Sequence, residues 1–425
     1  MQITNVHAAF EREPLVHPYG FKGGHLSELW QPVALLDGTD GRQALGLGTQ
    51  SVLWSDPAVF AAHTESGGNV LMFAVLEFGL QLSRQTAWQH PSELLSAVLP
   101  QAYDYARRVT GRPDLRKTFV LNALVPLDNA AWMLHAGEGS SFEAVVPPEC
   151  REALSHRHDS VASIPSAGYG TTVEELQALA EAGHFVIKVK LGHPGSVEDM
   201  LARDMERMTE VHDVFRDRET EQTASGRIPY YFDINGRYAD LDTLRRLLDH
   251  AAGIGALERT LVVEEPFPED FEADVSGLGV RLAADESAHT DADARKLMDM
   301  GYGAIALKPV AKTASMTFKI AAEAHERGVP CFCADLTVNP ILVDWNKSFA
   351  ARLAPLPGLE VGLLETNGHQ YYRNWAAMAA HHPCAGASWT EARDGLFRLD
   401  EAFYEHSGGI FDMPIHYLDL VRPPA

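Results

Sequence analysis

In the second half of this chain, charged residues close a series of short apolar runs, each at a similar place in its run. Lys188 and Lys190 lie in VIKVKLG, Asp233 in YYFDING, Glu264 in VVEEPFP, Asp285 in LAADES and Lys308 in IALKPV, while Asp335 and Glu365 end the last two runs. A single buried charge is ordinarily half of a structural ion pair. Charges ending successive strands are different, because each costs desolvation unless it is paired or bound to a metal. Asp233, Glu264 and Asp285 come from consecutive runs and make an all-oxygen, negative pocket suited to a hard divalent cation such as Mg²⁺. No His/Cys set competes for a softer metal. Lys188 and Lys190 are two apart, so on a strand both side chains point the same way. Two like charges in a desolvated mouth are expected to lower each other's pKa, and a lysine shifted that way can serve as a general base.

The elements that must position these residues follow from the alternation around them. The apolar runs are SVASIP, FVIKVKLG, YYFDINGRY, LVVEEPFP, VRLAADES, AIALKPV, VPCFCADL and EVGLLETN, with amphipathic helical stretches between most of them. Parallel neighbours need crossover connections, so this order predicts parallel strands. Eight such units over about 235 residues are the size of a (β/α)8 barrel, whose strands converge at their C-terminal ends on one mouth. The fold class read from the sequence is therefore α/β: a modified TIM-like barrel with an N-terminal α+β capping domain completed by the C-terminal tail. The expected boundaries are 1–158 for the cap, 159–394 for the barrel and 395–425 for a segment packing back on the cap. Within the cap, the first 60 residues read as short strands and loops, with a Gly- and aromatic-containing loop over 17–30. Three helical stretches between about 69 and 137 follow. RDRETEQTASGR, 216–227, is polar and aperiodic and reads as a surface insertion.

Composition bounds the partners. The chain has 425 residues, 35 Lys+Arg against 58 Asp+Glu and a net charge of −23. Nucleic acid and anionic membranes need clustered basic residues and are not expected as partners, whereas small anions answer to local charge. Cys331 and Cys333 form C-x-C beside apolar Phe332 and Ala334, which predicts buried strand thiols rather than a metal site or a disulfide framework. The N-terminal stretch MQITNVHAAFEREP lacks the apolar core of an export signal, and no uncharged apolar run is long enough to span a membrane. A soluble, cytoplasmic protein is expected.

The ordered set K-x-K, D-x-N-G, E-E-P, A-D-E-S and L-K-P, one motif per run, resembles the enolase superfamily, and within it the mandelate racemase/muconate lactonizing enzyme-like members with a lysine on each side of the site. The resemblance covers most of the chain. It implies Asp233, Glu264 and Asp285 as Mg²⁺ ligands, with Glu286 behind them. Lys190 is the implied base on one face of the substrate, with Lys188 tuning it, and Lys308 is the implied acid or base on the other. Asn235 would contact the bound ligand, and Glu365 would hydrogen-bond the developing enediolate. A homo-oligomer is also implied.

The implied chemistry is removal of the proton next to a substrate carboxylate, with Mg²⁺ and a lysine stabilising charge on the carboxylate oxygens. Return of a proton from the other face racemises or epimerises; the same intermediate also serves cycloisomerisation or elimination. In this family the cap closes the mouth, so Tyr19, Phe21, Lys22 and His25 in 17–30 are candidates for substrate contact, with Trp54 in a second segment over 50–56 and Asp335 at the end of the seventh run. Asp335 stands where mandelate-racemase-like members carry a His, which argues against a His–Asp base and the sugar-acid dehydratases that rely on it. Glu365-Thr366-Asn367 replaces the D-x-D of dipeptide epimerases. The rival from another class is a Schiff-base lyase using Lys308 or Lys190 on a carbonyl.

Overall fold

The computed structural model describes residues 1–422 apart from 23 and 138. The chain opens with β1 (Ile3–Phe21), β2 (Gly24–Gly38) and β3 (Gln43–Leu47), an antiparallel sheet in that order. The 17–30 segment is thus not a loop but the far end of a long hairpin: Tyr19 pairs with Leu26, Gly20 with His25 and Phe21 with Gly24. Gly and aromatic residues have the composition of a loop, yet Tyr19 and Phe21 are two apart and so share one face of the ribbon. Helices α1 (Val52–Ser55), α2 (Pro57–Ser83), α3 (Pro91–Thr110) and α4 (Lys117–Ala136) follow. Helix α4 is buried along nearly its whole length because it lies between the cap sheet and the barrel. Its approach to β3 requires Gly46, where a β-carbon would stand 1.9 Å from the Pro126 carbonyl oxygen. On its other side, Trp132 Nε1 donates to Ser315 Oγ at 3.0 Å, and Ser315 donates to Asp128 through both its hydroxyl and its backbone N–H.

All eight predicted barrel strands are present. They are β4 (Ser160–Ile164) with its continuation β5 (Ser166–Ala167), β6 (Lys188–Lys190), β7 (Tyr230–Asp233), β8 (Thr260–Glu264), β9 (Leu282–Ala284), β10 (Ala304–Leu307), β11 (Cys331–Cys333) and β12 (Gly362–Glu365). Each pairs in parallel with the next. Pro165 splits the first strand: β4 pairs with β12 while β5 pairs with β6, which closes the sheet on itself. Cys331 and Cys333 are buried free thiols in β11. The tail does two things. β13 (Leu396–Arg398) pairs antiparallel with β4, and the helix Ile415–Val421 packs on β1 and β2, with His416 on Glu11 at 2.8 Å. No helix among the described residues is long and apolar enough to cross a membrane.

Candidate active site

Strand register assembles the site. Lys190 lies opposite Asp233, Asp233 opposite Glu264, and Glu264 opposite Ala283, two residues before Asp285. Neighbouring strands are about 4.8 Å apart, so these side chains stand shoulder to shoulder at the C-terminal mouth. Lys188, Lys190, Asp233, Glu264, Asp285, Lys308 and Glu365 are all buried. Lys188 Nζ reaches Glu264 at 2.8 Å, Asp233 at 3.0 Å and Glu365 at 3.1 Å. Lys190 pairs with Asp233 at 2.5 Å and Lys308 with Asp285 at 2.6 Å. The Tyr231 hydroxyl donates to Glu264 through a short bond.

The carboxylates grouped most closely are Glu264, Asp285 and Glu286, each offering an oxygen within 4.8 Å of the others. Asp285 Oδ1 and Glu286 Oε2 are buried without a hydrogen-bond partner. Asp233 stands beside this group but is turned toward other partners: Oδ2 accepts from Lys190 and Asn235 Nδ2, and Oδ1 from the Asn235 backbone. Asn235 also donates to Glu286 at 3.2 Å. A buried, all-oxygen set with free lone pairs fits a hard divalent cation. Glu265 turns back to accept from the Asp285 and Ser287 N–H groups and fixes that turn. Lys22, Asn235, Glu265 and Thr337, all non-glycine residues at positive φ, lie at or beside this mouth, the kind of backbone strain that collects at functional sites.

The electrostatics differ from the sequence expectation for the lysine pair. Burial lowers Lys188, but Asp233, Glu264 and Glu365 outweigh it and raise its pKa well above the ordinary lysine value. For Lys190 burial and the Lys188 charge both pull down, yet Asp233 leads a net rise. Lys308 is raised in the same way, mainly by Asp285 against burial. The carboxylates, not the second ammonium, set these lysines. On the acid side, burial pushes Glu264 up to about 7 despite Lys188. Glu286 falls well below its usual range because Lys22 and Lys308 overcome burial.

The cap supplies the roof. Tyr19, Phe21, Leu26 and Trp54 line the cavity above the lysines and carboxylates. The Lys308 ammonium lies 4.7 Å from the Trp54 ring centre, a cation–π contact. Lys22, at the hairpin tip, reaches Glu286 at 2.8 Å. His25 is exposed, since it pairs with Gly20 and so falls on the opposite parity from Tyr19 and Phe21. Asp335 lines the cavity but spends its oxygens on the Leu336, Val338 and Asn367 N–H groups, and burial raises it to about 7. The cavity encloses about 40 Å³, room for about two or three waters. Sequence reasoning missed Lys312, one turn beyond Lys308, whose buried ammonium donates to the Asp285 carbonyl at 2.6 Å. It also missed Tyr231. Their signal was only the parity of Tyr231 with Asp233 and the four-residue spacing of Lys308 and Lys312.

A closed parallel barrel under an α+β cap, with acids and lysines at its C-terminal mouth, defines the class. Residues 171–381, most of the barrel, match the family described as enolase C-terminal domain-like, and the barrel belongs to that family. Among solved structures, it is similar to a mandelate racemase/muconate lactonizing protein from Herpetosiphon aurantiacus, with 15% identity over 94% of this chain and 96% of that one and a TM-score of 0.64. It is also similar to the L-Ala-D/L-Glu epimerase from Bacillus subtilis (14% identity, 89% and 91% covered, TM-score 0.62). A third is a dipeptide epimerase from Enterococcus faecalis V583, complexed with Mg and the dipeptide L-Leu-L-Tyr (14% identity, 94% and 98% covered, TM-score 0.60). At these identities the likeness is one of fold. No curated protein matches the chain.

Proposed function

We propose that this protein is a Mg²⁺-dependent racemase or epimerase of a small carboxylic acid, acting by removal and return of the proton next to the carboxylate. The observation that carries the reading is the placement of Lys190 and Lys308 on opposite sides of the carboxylate group, on β6 and just beyond β10. Glu264 and Asp285 would hold the cation, with Glu286 or Asp233 completing the set. Such a cation, when bound, would supply positive charge beside the substrate carboxylate oxygens. Lys190 must shed its proton to act as base, and Asp233 is the group that chiefly opposes this. Lys308, held protonated beside Asp285, is set to deliver a proton on the other face. Lys188, bridging Glu264 and Glu365, places fixed positive charge where the carboxylate oxygens gain charge.

Cycloisomerisation and dehydration would begin with the same proton removal. A Schiff-base lyase would instead join Lys190 or Lys308 covalently to a substrate carbonyl with no need of a cation, so borohydride trapping and insensitivity to EDTA distinguish it. The Glu365–Asn367 carboxamide end of the last strand, in place of two acids, favours a monoacid over a dipeptide whose free ammonium would need a pair of carboxylates. The test is a library of carboxylic acids incubated with the Mg²⁺-loaded enzyme in D₂O, read by NMR for loss of the α-proton signal. Exchange that EDTA stops and Mg²⁺ restores is expected. Exchange that persists in EDTA, or borohydride trapping of a substrate adduct, would sink the proposal.

A further inference from the structure

At the opposite end of the barrel from the lysines lies a larger hollow of about 620 Å³, within the size range of small-molecule sites. It is bounded by the N-terminal approaches to β7, β8 and β9, by the polar insertion, and by the 357–359 loop. The insertion is a built wall. Ala224 N donates to Gly358 O and Glu360 N to Gln222 O, both at 3.0 Å, and Thr223 bridges to Leu359. Its own turn is closed by Thr220 N on Gly226 O at 2.9 Å and Thr223 Oγ1 on Arg227 O at 2.9 Å.

Three arginines from three separate approaches line this hollow: Arg227, Arg259 and Arg281. Elsewhere on the barrel's outer surface Arg216, Arg246, Arg295 and Arg327 each hold a carboxylate. Among the described residues these three hold none, and Glu258, the one acid of the lining, is exposed. Arg259 is committed to the end of the helix Val197–Phe215, donating to Phe215 O at 3.0 Å and Arg216 O at 2.5 Å. Arg281 is different. Its stem lies against Gly303, where a β-carbon would stand 3.2 Å from Cγ, and among the described residues its guanidinium makes one long hydrogen bond, to Leu261 O at 3.4 Å. Burial lowers its pKa with no carboxylate set against that cost. In a chain of net charge −23, this guanidinium is part-buried and has no carboxylate partner among the described residues.

We propose that this basal cavity binds a small multivalent oxyanion, with Arg281 and Arg227 as its charge-assisted donors and Arg259 adding fixed positive charge. The planar guanidinium fork suits phosphate and carboxylate groups alike, so the class is phosphate or polycarboxylate. The experiment is isothermal titration of the full-length protein with pyrophosphate and, separately, citrate. It is run on wild type, Arg227→Gln, Arg281→Gln, the double variant, and Lys308→Ala as a lesion of the other mouth. One site is expected, weakened about tenfold by each arginine lost and unchanged in Lys308→Ala. The tighter of the two probes assigns the phosphate or the polycarboxylate class. Arg227 is exposed, so its variant tests the site even where Arg281→Gln disturbs folding, which unfolding midpoints check. No heat with either probe at millimolar concentration overturns the proposal. So does equal affinity in wild type and double variant, or loss in Lys308→Ala alone.

Discussion

Two clusters of buried charge in this molecule look alike on paper and differ in kind. Behind the last strands, Asp344, Lys347 and His382 form a sealed group, each with a side chain 1–2% exposed. Lys347 pairs with Asp344 through a short contact and donates to Trp389 O at 2.7 Å, while Asp344 faces His382 at 2.9 Å. One acid there serves two bases, and two of the three lie a helical turn apart. At the barrel mouth, carboxylates from successive strands stand within 4.8 Å of each other. Crowding like charges works against folding. Opposite charges brought together by folding make a strut, whereas like charges brought together make a site for something that is not part of the chain.

That contrast can be broken by mutation. The largest effects should fall on catalysis at the mouth: Lys190→Ala and Lys308→Ala should each lower α-proton exchange by about 10²–10⁴-fold. Calorimetric Mg²⁺ binding should stay within a few-fold of wild type. Second, Glu264→Gln and Asp285→Asn should each weaken Mg²⁺ by about a hundredfold or more. Comparing Glu286→Gln with Asp233→Asn then decides which acid completes the set. If neither changes affinity, the geometric grouping is wrong. Third, Asp344→Asn should leave exchange per folded molecule unchanged and cost about 3–5 kcal/mol in urea unfolding, because Lys347 loses its counter-charge.

The fourth concerns pH and the junction between cap and barrel. Burial raises Asp128 from an ordinary 3.8 to about 6, with the Ser315 hydroxyl and N–H pulling the other way. The acid is easier to ionise in the unfolded chain, so its contribution is full below about pH 4 and is lost as pH rises through about 6. A shift of this size corresponds to about 3 kcal/mol. Unfolding free energies of wild type minus Asp128→Asn across that window should show the loss; a flat difference would count against it. The smallest effect is expected at Lys22→Ala. Releasing the hairpin tip from Glu286 should change kcat/KM by about tenfold or less, leaving the unfolding midpoint in place.

The legible part of the site was the part written in parity. Lys188, Lys190, Asp233, Glu264, Asp285 and Glu365 lie in or next to strands whose alternation sends them to one mouth, and the structure brings them together. Residues that act through the path of the backbone were not legible. The 17–30 hairpin reads as a loop from sequence, because Gly20, Gly24 and the aromatics have the composition of a turn while their cross-strand partners are invisible locally. Asp335 has the spacing of a substrate contact but accepts from three backbone N–H groups of its own and the neighbouring loop. Glu286 entered the carboxylate group because Glu265, at φ 40, turned the chain after β8 and tied down the Asp285 N–H.

By itself, then, the sequence determined the barrel, the order of its strands and the identity of the charges at their ends. Apolar periodicity and one-residue parity are local properties that survive without knowledge of the rest of the chain. Only the tertiary structure decided which charges touch and with what sign of effect. Lys188 and Lys190, neighbours in sequence and expected to weaken each other's hold on a proton, are governed instead by acids 43 to 177 residues away. Coulomb energies depend on distance and burial, and neither can be read along a chain.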